Sequence, residues 1–232
     1  MNDAHLSHIA YDSVIFGFSG DTLKILILEY HNTGFFALPG GFVKVDEHLN
    51  DAVKRGLKER TGLDKIYLEQ FYTFGDTTRK DAETMKVILK ANGYNPQEYQ
   101  WMLERFISIA YYALIDYKKV IPTPDAFSDS INWYAIDEIP PLIFDHEIIV
   151  QKALRTLRDN LESKLVGVNL LPSKFTMKEL QQVYEAILDK KLQRSAFQRK
   201  MLSMDVLKRH EKQFSGKAHK APYLYSFNTQ NN

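Results

Sequence analysis

Two stretches of this chain carry side chains whose types and spacing could do chemistry. The first, GGFVKVDEHLNDAVKRGLKERTGL, occupies residues 40–63 and sets Glu47, Arg55, Glu59 and Arg60 among small and apolar residues. Helical spacing of four puts Arg55 and Glu59 on one face, where an exposed pair is worth only about 0.3–0.5 kcal/mol. Glu59 therefore has two readings: a structural partner of Arg55, or an oxygen ligand facing a bound group. The second stretch is SAFQRKMLSM, in which Phe197, Met201 and Met204 share one helical face. Ser195, Arg199 and Ser203 lie opposite, flanked by Gln198 and Lys200. Such a helix packs by one face and offers the other to base edges or phosphates in a DNA major groove. A solvated basic surface is the plainer alternative.

The neighbouring elements must position these groups. Asp46 is a candidate N-cap for a helix with Leu49, Val53 and Leu57 on its apolar face, Ala52 and Gly56 beside them, and Gly62 as its stop. Upstream, SVIFGF and LKILILEY are β-branched and aromatic runs joined by Ser19-Gly20-Asp21, the composition of an antiparallel hairpin. Residues 66–75, 107–116 and 131–139 read as further strands. Residues 77–105 hold KDAETMKVILKANGY and NPQEYQWMLERF, both helical in propensity, with Asn92-Gly93 as a stop and Pro96 at a restart. This is an insertion bearing a helical hairpin, suited either to covering a pocket or to a dimer contact. Asp145 is placed to cap a later helix lined by Ile148, Ile149, Ala153, Leu154, Leu157 and Leu161, which closes a first domain near residue 163.

A chain of 232 residues with 44% hydrophobic content has room for one large domain or two modest ones. The absence of cysteine excludes disulfides and thiolate metal sites. No signal-like N-terminus and no 18-residue apolar run is present, so a cytoplasmic protein without a membrane partner is expected. The net charge of +1 conceals an asymmetry: residues 1–164 carry 18 Lys and Arg against 24 Asp and Glu, whereas residues 165–232 carry 12 against 5. A basic module appended to an acidic domain points to a polyanionic partner, nucleic acid above all.

The spacing in residues 41–63 resembles the Nudix box, G-x5-E-x7-R-E-U-x-E-E-x-G-U with U bulky and apolar. Gly41, Glu47, Arg55, Leu57, Glu59, Gly62 and Leu63 fall in register. In Nudix hydrolases the glutamates of R-E-U-x-E-E hold divalent metal; here those positions are Gly56, Glu59 and Arg60. Two of the three carboxylates are missing, and Arg60 brings positive charge to where the dication would sit. Hard cations want several oxygen ligands, and metal-assisted hydrolysis needs the cation to polarise phosphoryl oxygens. The resemblance therefore implies a Nudix scaffold with no catalytic residue, metal or cofactor, and little or no pyrophosphohydrolase activity.

The C-terminal stretch reads as helix, helix, β-hairpin. Thr176 and Glu179 have capping-box spacing, and Leu180, Val183, Tyr184, Ile187 and Leu188 follow at helical period. Leu192 sits in the turn and Ser195 is placed to cap the second helix. Residues 206–210 and 223–227 are strand-like and flank EKQFSGKAHKAP, whose Lys212, Lys217, His219 and Lys220 compose a basic wing.

A degenerate box followed by this module resembles the Nudix-related transcriptional regulators, on the phrases PPLIFDHEIIVQKAL, LLPSKFTMKELQQVYEAIL and LQRSAFQRKML. That family implies an α+β protein, with a Nudix-like α/β/α sandwich (1–163) that senses a small molecule and a winged helix-turn-helix domain (164–228) that binds operator double-stranded DNA. It also implies a homodimer. ADP-ribose is the effector in some members and a pentose such as arabinose in others, the sugar-responsive Bacteroidetes-type branch being nearest. On this reading Arg194, Gln198 and Arg199 face bases, Lys200, Lys217 and Lys220 face phosphates, Ser195 belongs to the same DNA-binding face, and His219 lies in the wing loop. Arg79 and Arg105, flanking the insertion, together with Glu47 and Glu59, are the candidate effector contacts. Two alternatives stand beside it: a hydrolase of nucleoside-diphosphate derivatives whose tail serves dimerisation, and a sugar- or nucleotide-binding protein without DNA affinity.

Overall fold

In the computed structural model, which describes residues 4–19, 21–64, 66–161, 170–213 and 221–228, one long strand organises the first domain. Strand β1 (His5–Ser19) runs parallel to β6 (Ile107–Ile115) along one edge, and on its other edge meets β4 (Gly40–Lys44) and then β2 (Thr22–Tyr30), both antiparallel. The far edge of β2 pairs with β7 (Ser128–Ala135), the short β3 (Phe36–Ala37) joins β2 beyond β1, and β5 (Tyr67–Phe74) lies antiparallel outside β6. The expected hairpin of β1 and β2 is thus present. The sheet has seven strands.

Alternation along β1 gives the sheet two buried faces, as a period of two requires. Val14 and Phe16 join a cluster with Ile149, Ala153 and Leu157 of α3 (His146–Asn160), whereas Tyr11 and Ile15 join Ala52, Val53 and Leu57 of α1 (Leu49–Thr61). This is the expected α/β/α sandwich. Helix α1 ends at Gly62, whose φ of 73° is the left-handed conformation glycine adopts without strain.

Four local expectations are corrected. Helix α1 begins after His48 with no side-chain cap, so Asp46 lies outside it. Asp145 stands at the N-cap of α3 but caps nothing, because Arg79 takes its carboxylate. Ile148 is 60% exposed and turns away from the apolar face of α3. The insertion holds one helix, α2 (Ala82–Ala91), stopped at Asn92-Gly93 as expected; its second half forms only a 3-10 turn, Gln100–Leu103. Aromatic packing overrides helical propensity there: Trp101 lies edge-on to Phe42 at 4.8 Å and stacks on His5.

The second module contains β8 (Phe175–Thr176), α4 (Met177–Leu188), α5 (Arg194–Ser203), β9 (Leu207–Lys212) and β10 (Tyr223–Phe227). The hairpin β9–β10 is completed by β8 into a three-stranded sheet, a strand that the sequence pattern did not reveal. The boundary expected at 163/164 falls in the stretch 162–169, outside the described residues. The modules nevertheless share one apolar cluster, in which Leu180, Val183, Tyr184 and Ile187 of α4 are continuous with Phe16, Leu23 and Leu157. Arg158 Nε donates to the Ile187 carbonyl at 2.7 Å, and the Tyr184 hydroxyl donates to the Leu161 carbonyl at 3.3 Å. Among the described residues no helix is long and apolar enough to cross a membrane.

Helix α4 carries the complete capping box: Thr176 Oγ1 accepts from the Glu179 amide at 3.2 Å, and the Glu179 carboxylate accepts from the Thr176 amide at 2.6 Å. Replacing Thr176 by Ala is expected to lower stability by about 1 kcal/mol. The check is the urea midpoint, which should fall while the slope of the transition is unchanged.

Candidate functional site

A cleft of about 420 Å³ opens where the box helix, the N-terminal half of β1, the loop at Asp125–Phe127 and the insertion meet. Its floor is Tyr11. Strand register places Tyr11 opposite Gly41, and the phenol oxygen fills the space between the two glycines of the box. A Cβ built on Gly41 would meet that oxygen at 2.6 Å, and one on Gly56 at 2.2 Å. Burial pushes the Tyr11 phenol up to about 12, against the pull of Arg55, so it is a neutral hydroxyl at physiological pH.

The two arginines of the box, Arg55 and Arg60, form three ion pairs from α1. Arg55 gives Nε and Nη2 to Glu47 at 2.8 and 2.9 Å, a two-pronged contact, and also donates from Nη2 to the Phe42 carbonyl. Hydrogen bonds from Arg55 hold the Glu47 carboxyl down at about 2. Glu59 stands 3.6 Å from Arg55 and is half exposed. One turn on, Arg60 reaches across to Asp125 at 2.6 Å, its side chain only 12% exposed. The Arg60 Nε is buried and has no hydrogen-bond partner among the described residues.

These residues do not fit the divalent metal that a Nudix box implies. Tyr11 fills the position where a glutamate at residue 56 would stand, Arg60 replaces another, and Glu59 is left with Arg55. Among the described residues no group of three or more His, Asp or Glu is arranged to hold a metal ion.

The opposite wall is tied by Arg79. Its side chain is 9% exposed and uses all five N–H groups: Nε and Nη2 on Asp145, Nη2 on Asp12, and Nη1 on the carbonyls of Phe74 and Phe106. Asp12 also accepts from Ser108 at 2.5 Å. His146 lies beneath, its Nδ1 accepting from the Leu38 amide at 2.9 Å while Nε2 faces Asp12 at 3.5 Å. The insertion supplies the roof: Asp81, Met85 and Ile88 from α2, and Met102, Leu103 and Glu104 from the turn and just beyond. Tyr94 packs on Phe127 at 5.3 Å and pins that roof to the sheet.

Of the candidate effector residues, Glu59 and Arg79 line the cleft. Glu47 stands behind Arg55, and Arg105 is exposed and outside the lining. Arg55, Arg60, Tyr11, Asp12 and Asp125 line it without having been chosen as contacts. The box register was a usable signal for Arg55 and Arg60; Asp12 and Asp125 carry none.

On the second module, Phe197 and Met201 of α5 are buried and Met204 partly so, while Arg194, Ser195, Arg199 and Lys200 are exposed and Gln198 is half-buried. The cap of α5 is Gln193, whose side-chain oxygen accepts from the Ala196 amide at 2.6 Å; Ser195 lies two residues too late for that role. Lys178, Lys190, Lys191 and Arg194 line a groove together with Asp21, Glu185 and Asp189, so its charge is mixed. Lys217, His219 and Lys220 lie outside the described residues.

The sandwich with its cleft, joined to a three-stranded winged helix with an exposed basic helix, defines a Nudix-fold domain coupled to a DNA-binding module. Residues 7–156 match the NUDIX domain model, and residues 167–227 match that of the NrtR DNA-binding winged helix domain. The chain belongs to the Nudix family, in its branch of Nudix-related transcriptional regulators. The ADPR responsive transcriptional repressor NtrR of Acinetobacter baylyi is 29% identical over 227 residues, spanning 94% of this chain and 81% of its own length. The crystal structure of Shewanella oneidensis NrtR complexed with a 27mer DNA is similar with a TM-score of 0.73 at 27% identity, covering 95% of this chain and 93% of that one. A MutT/nudix family protein from Enterococcus faecalis shares the fold, with a TM-score of 0.71 at 19% identity over 97% of this chain and 89% of its own.

Because Arg79 neutralises two nearly buried carboxylates, Arg79→Met is expected to lower stability by about 3–5 kcal/mol, the cost of breaking a buried pair from one side. Chemical denaturation measures it; an unchanged midpoint with weakened ligand binding would make Arg79 a ligand contact instead. Burial also lowers the pKa of His146, against the upward pull of Asp12 and Asp145. Its unfolded value lies near 6.5, so below that pH the unfolded chain binds the extra proton first. Stability should be flat above about pH 6.5 and fall as the pH drops below it. His146→Asn keeps an acceptor for Leu38 and should remove this component, as urea melts at about pH 7.5 and about pH 5.5 would show.

Proposed function

We propose that the chain is a homodimeric transcriptional repressor, divided near 163/164. Its cleft takes an ADP-ribose-like nucleoside diphosphate, and its winged helix grips operator DNA. The observation that supports this reading best is the union, through one continuous apolar cluster, of a cleft that has lost its metal carboxylates and a basic helix exposed on the far module. The ADPR responsive repressor of Acinetobacter baylyi favours ADP-ribose as effector over a sugar such as arabinose. Arg194, Ser195, Gln198 and Arg199 face base edges, and Lys200 faces phosphate; Lys217, His219 and Lys220 join them from the wing. Glu59, Arg55 and Arg60 meet the effector, with Glu47 and Arg79 holding the walls in place. Hydrolysis is not expected, because Gly56 has no room for a carboxylate and Arg60 repels a dication.

Coupling requires only that the effector favour one arrangement of the two modules over another. The contacts of α3 with α4, through Arg158 and Tyr184, lie between the cleft wall at Asp145 and the DNA-facing helix, and supply a physical route.

The test is capture of genomic fragments by the purified protein at moderate salt, with and without ADP-ribose and a panel of sugars. A few enriched palindromic sites, lost or gained with ADP-ribose, support the reading; no enrichment above competitor DNA under any ligand sinks it. On such a site Arg199→Ala should weaken binding by about 1–3 kcal/mol and relax discrimination at one position. Lys200→Ala should weaken all sequences alike and lower the salt slope by about one. Titrations at several salt concentrations separate the two.

A further inference from the structure

We infer that this cleft binds the diphosphate of its effector without any divalent cation, the guanidinium of Arg60 standing in for the metal; the inference rests on the ADP-ribose-like reading above. A Nudix box meets a diphosphate through carboxylates and a dication, so losing the carboxylates alone would leave nothing to offset the phosphate charge. Here the box position that would supply a carboxylate supplies a cation, and that cation lines the cleft.

Arg60 is not used up by the protein. Of its donors, one reaches Asp125, while the Nε is buried with no partner among the described residues. The Nη1 group makes no hydrogen bond among the described residues and, unlike the Nε, is not sealed from the cleft, so it is the donor left for an incoming oxyanion. Arg79, by contrast, has acceptors for all five N–H groups, and Arg55 is held through Nε and Nη2 by Glu47 and the Phe42 carbonyl with its Nη1 3.6 Å from Glu59. Guanidinium geometry also matches two phosphate oxygens at once.

The carboxylates around the cleft are already engaged. Asp12 serves Arg79 and Ser108, Glu104 pairs with His8 at 3.3 Å, Glu59 stands beside Arg55, and Asp81 caps α2 through the Thr84 amide. Asp125 is the one that partly neutralises Arg60. Its Oδ2 takes the guanidinium, and its Oδ1 holds the loop by accepting from the Phe127 amide at 2.9 Å and the Ser128 hydroxyl at 2.6 Å. Asparagine there keeps the loop contacts and removes the charge, which unmasks Arg60.

The experiment is calorimetric titration of the full chain with ADP-ribose, in EDTA and in excess Mg²⁺. The expected result is the same affinity in both, within about twofold. Arg60→Gln should weaken ADP-ribose binding by about tenfold or more, the size of a lost charge-assisted contact, and leave adenosine binding unchanged. Asp125→Asn should tighten ADP-ribose binding, which keeps the test decisive where Arg60→Gln does not fold. Binding that appears only with Mg²⁺ overturns the inference while leaving the effector reading intact, as does Arg60→Gln with wild-type affinity or Asp125→Asn with weaker affinity. No ADP-ribose binding in either buffer overturns the effector reading and the inference with it.

Discussion

The first domain depends on a single guanidinium. Arg79 enters from the loop after β5 and gathers the start of β6, the end of β5, the middle of β1 and the N-terminus of α3 onto five hydrogen bonds. Asp12 sits on the sheet face shared with Val14 and Phe16, where an uncompensated carboxylate would cost several kcal/mol. Planarity makes the arrangement specific: five donors in one fixed fork define the relative positions of four chain segments. The cleft wall, the roof hinged at Asp81 and the first turn of α3 all take their positions from it.

Much of this was legible in the sequence, for reasons that differ from element to element. The box was readable because its positions demand particular side chains, and a glycine or arginine in place of glutamate is visible without coordinates. The strands and α4 were readable because burial on a sheet or helix face imposes a period. What escaped were contacts between segments far apart in the chain. Tyr11 looks like an ordinary strand residue until register with β4 sets it against Gly41 and Gly56. Asp145 looks like a helix cap until Arg79, 66 residues away, claims it. The second half of the insertion looks helical until Trp101, Phe42 and Phe106 form an aromatic cluster that holds it in a turn.

The joint between the modules has the character of an interior. Leu180, Val183 and Ile187 are as buried as the central strands, and the polar contacts across it run to backbone carbonyls. Carbonyl acceptors belong to the frame of a helix and cannot swing aside as side chains do. Such a joint fixes α3 and α4 to each other as whole helices, as the close packing of an interior requires.

The phenol lodged between Gly41 and Gly56 also limits which single substitutions this site can accept. For a glutamate to stand at residue 56, the Tyr11 ring must first leave, and removing a buried aromatic side chain opens a cavity costing about 3–5 kcal/mol. Taken in the other order, the new side chain would arrive within 2.2 Å of the phenol oxygen with nowhere to go. Neither single step is neutral for a domain whose whole stability is on the order of 5–15 kcal/mol. The packing acts as a ratchet: tyrosine and glycine interlock, so neither position can change alone without a steric or cavity cost.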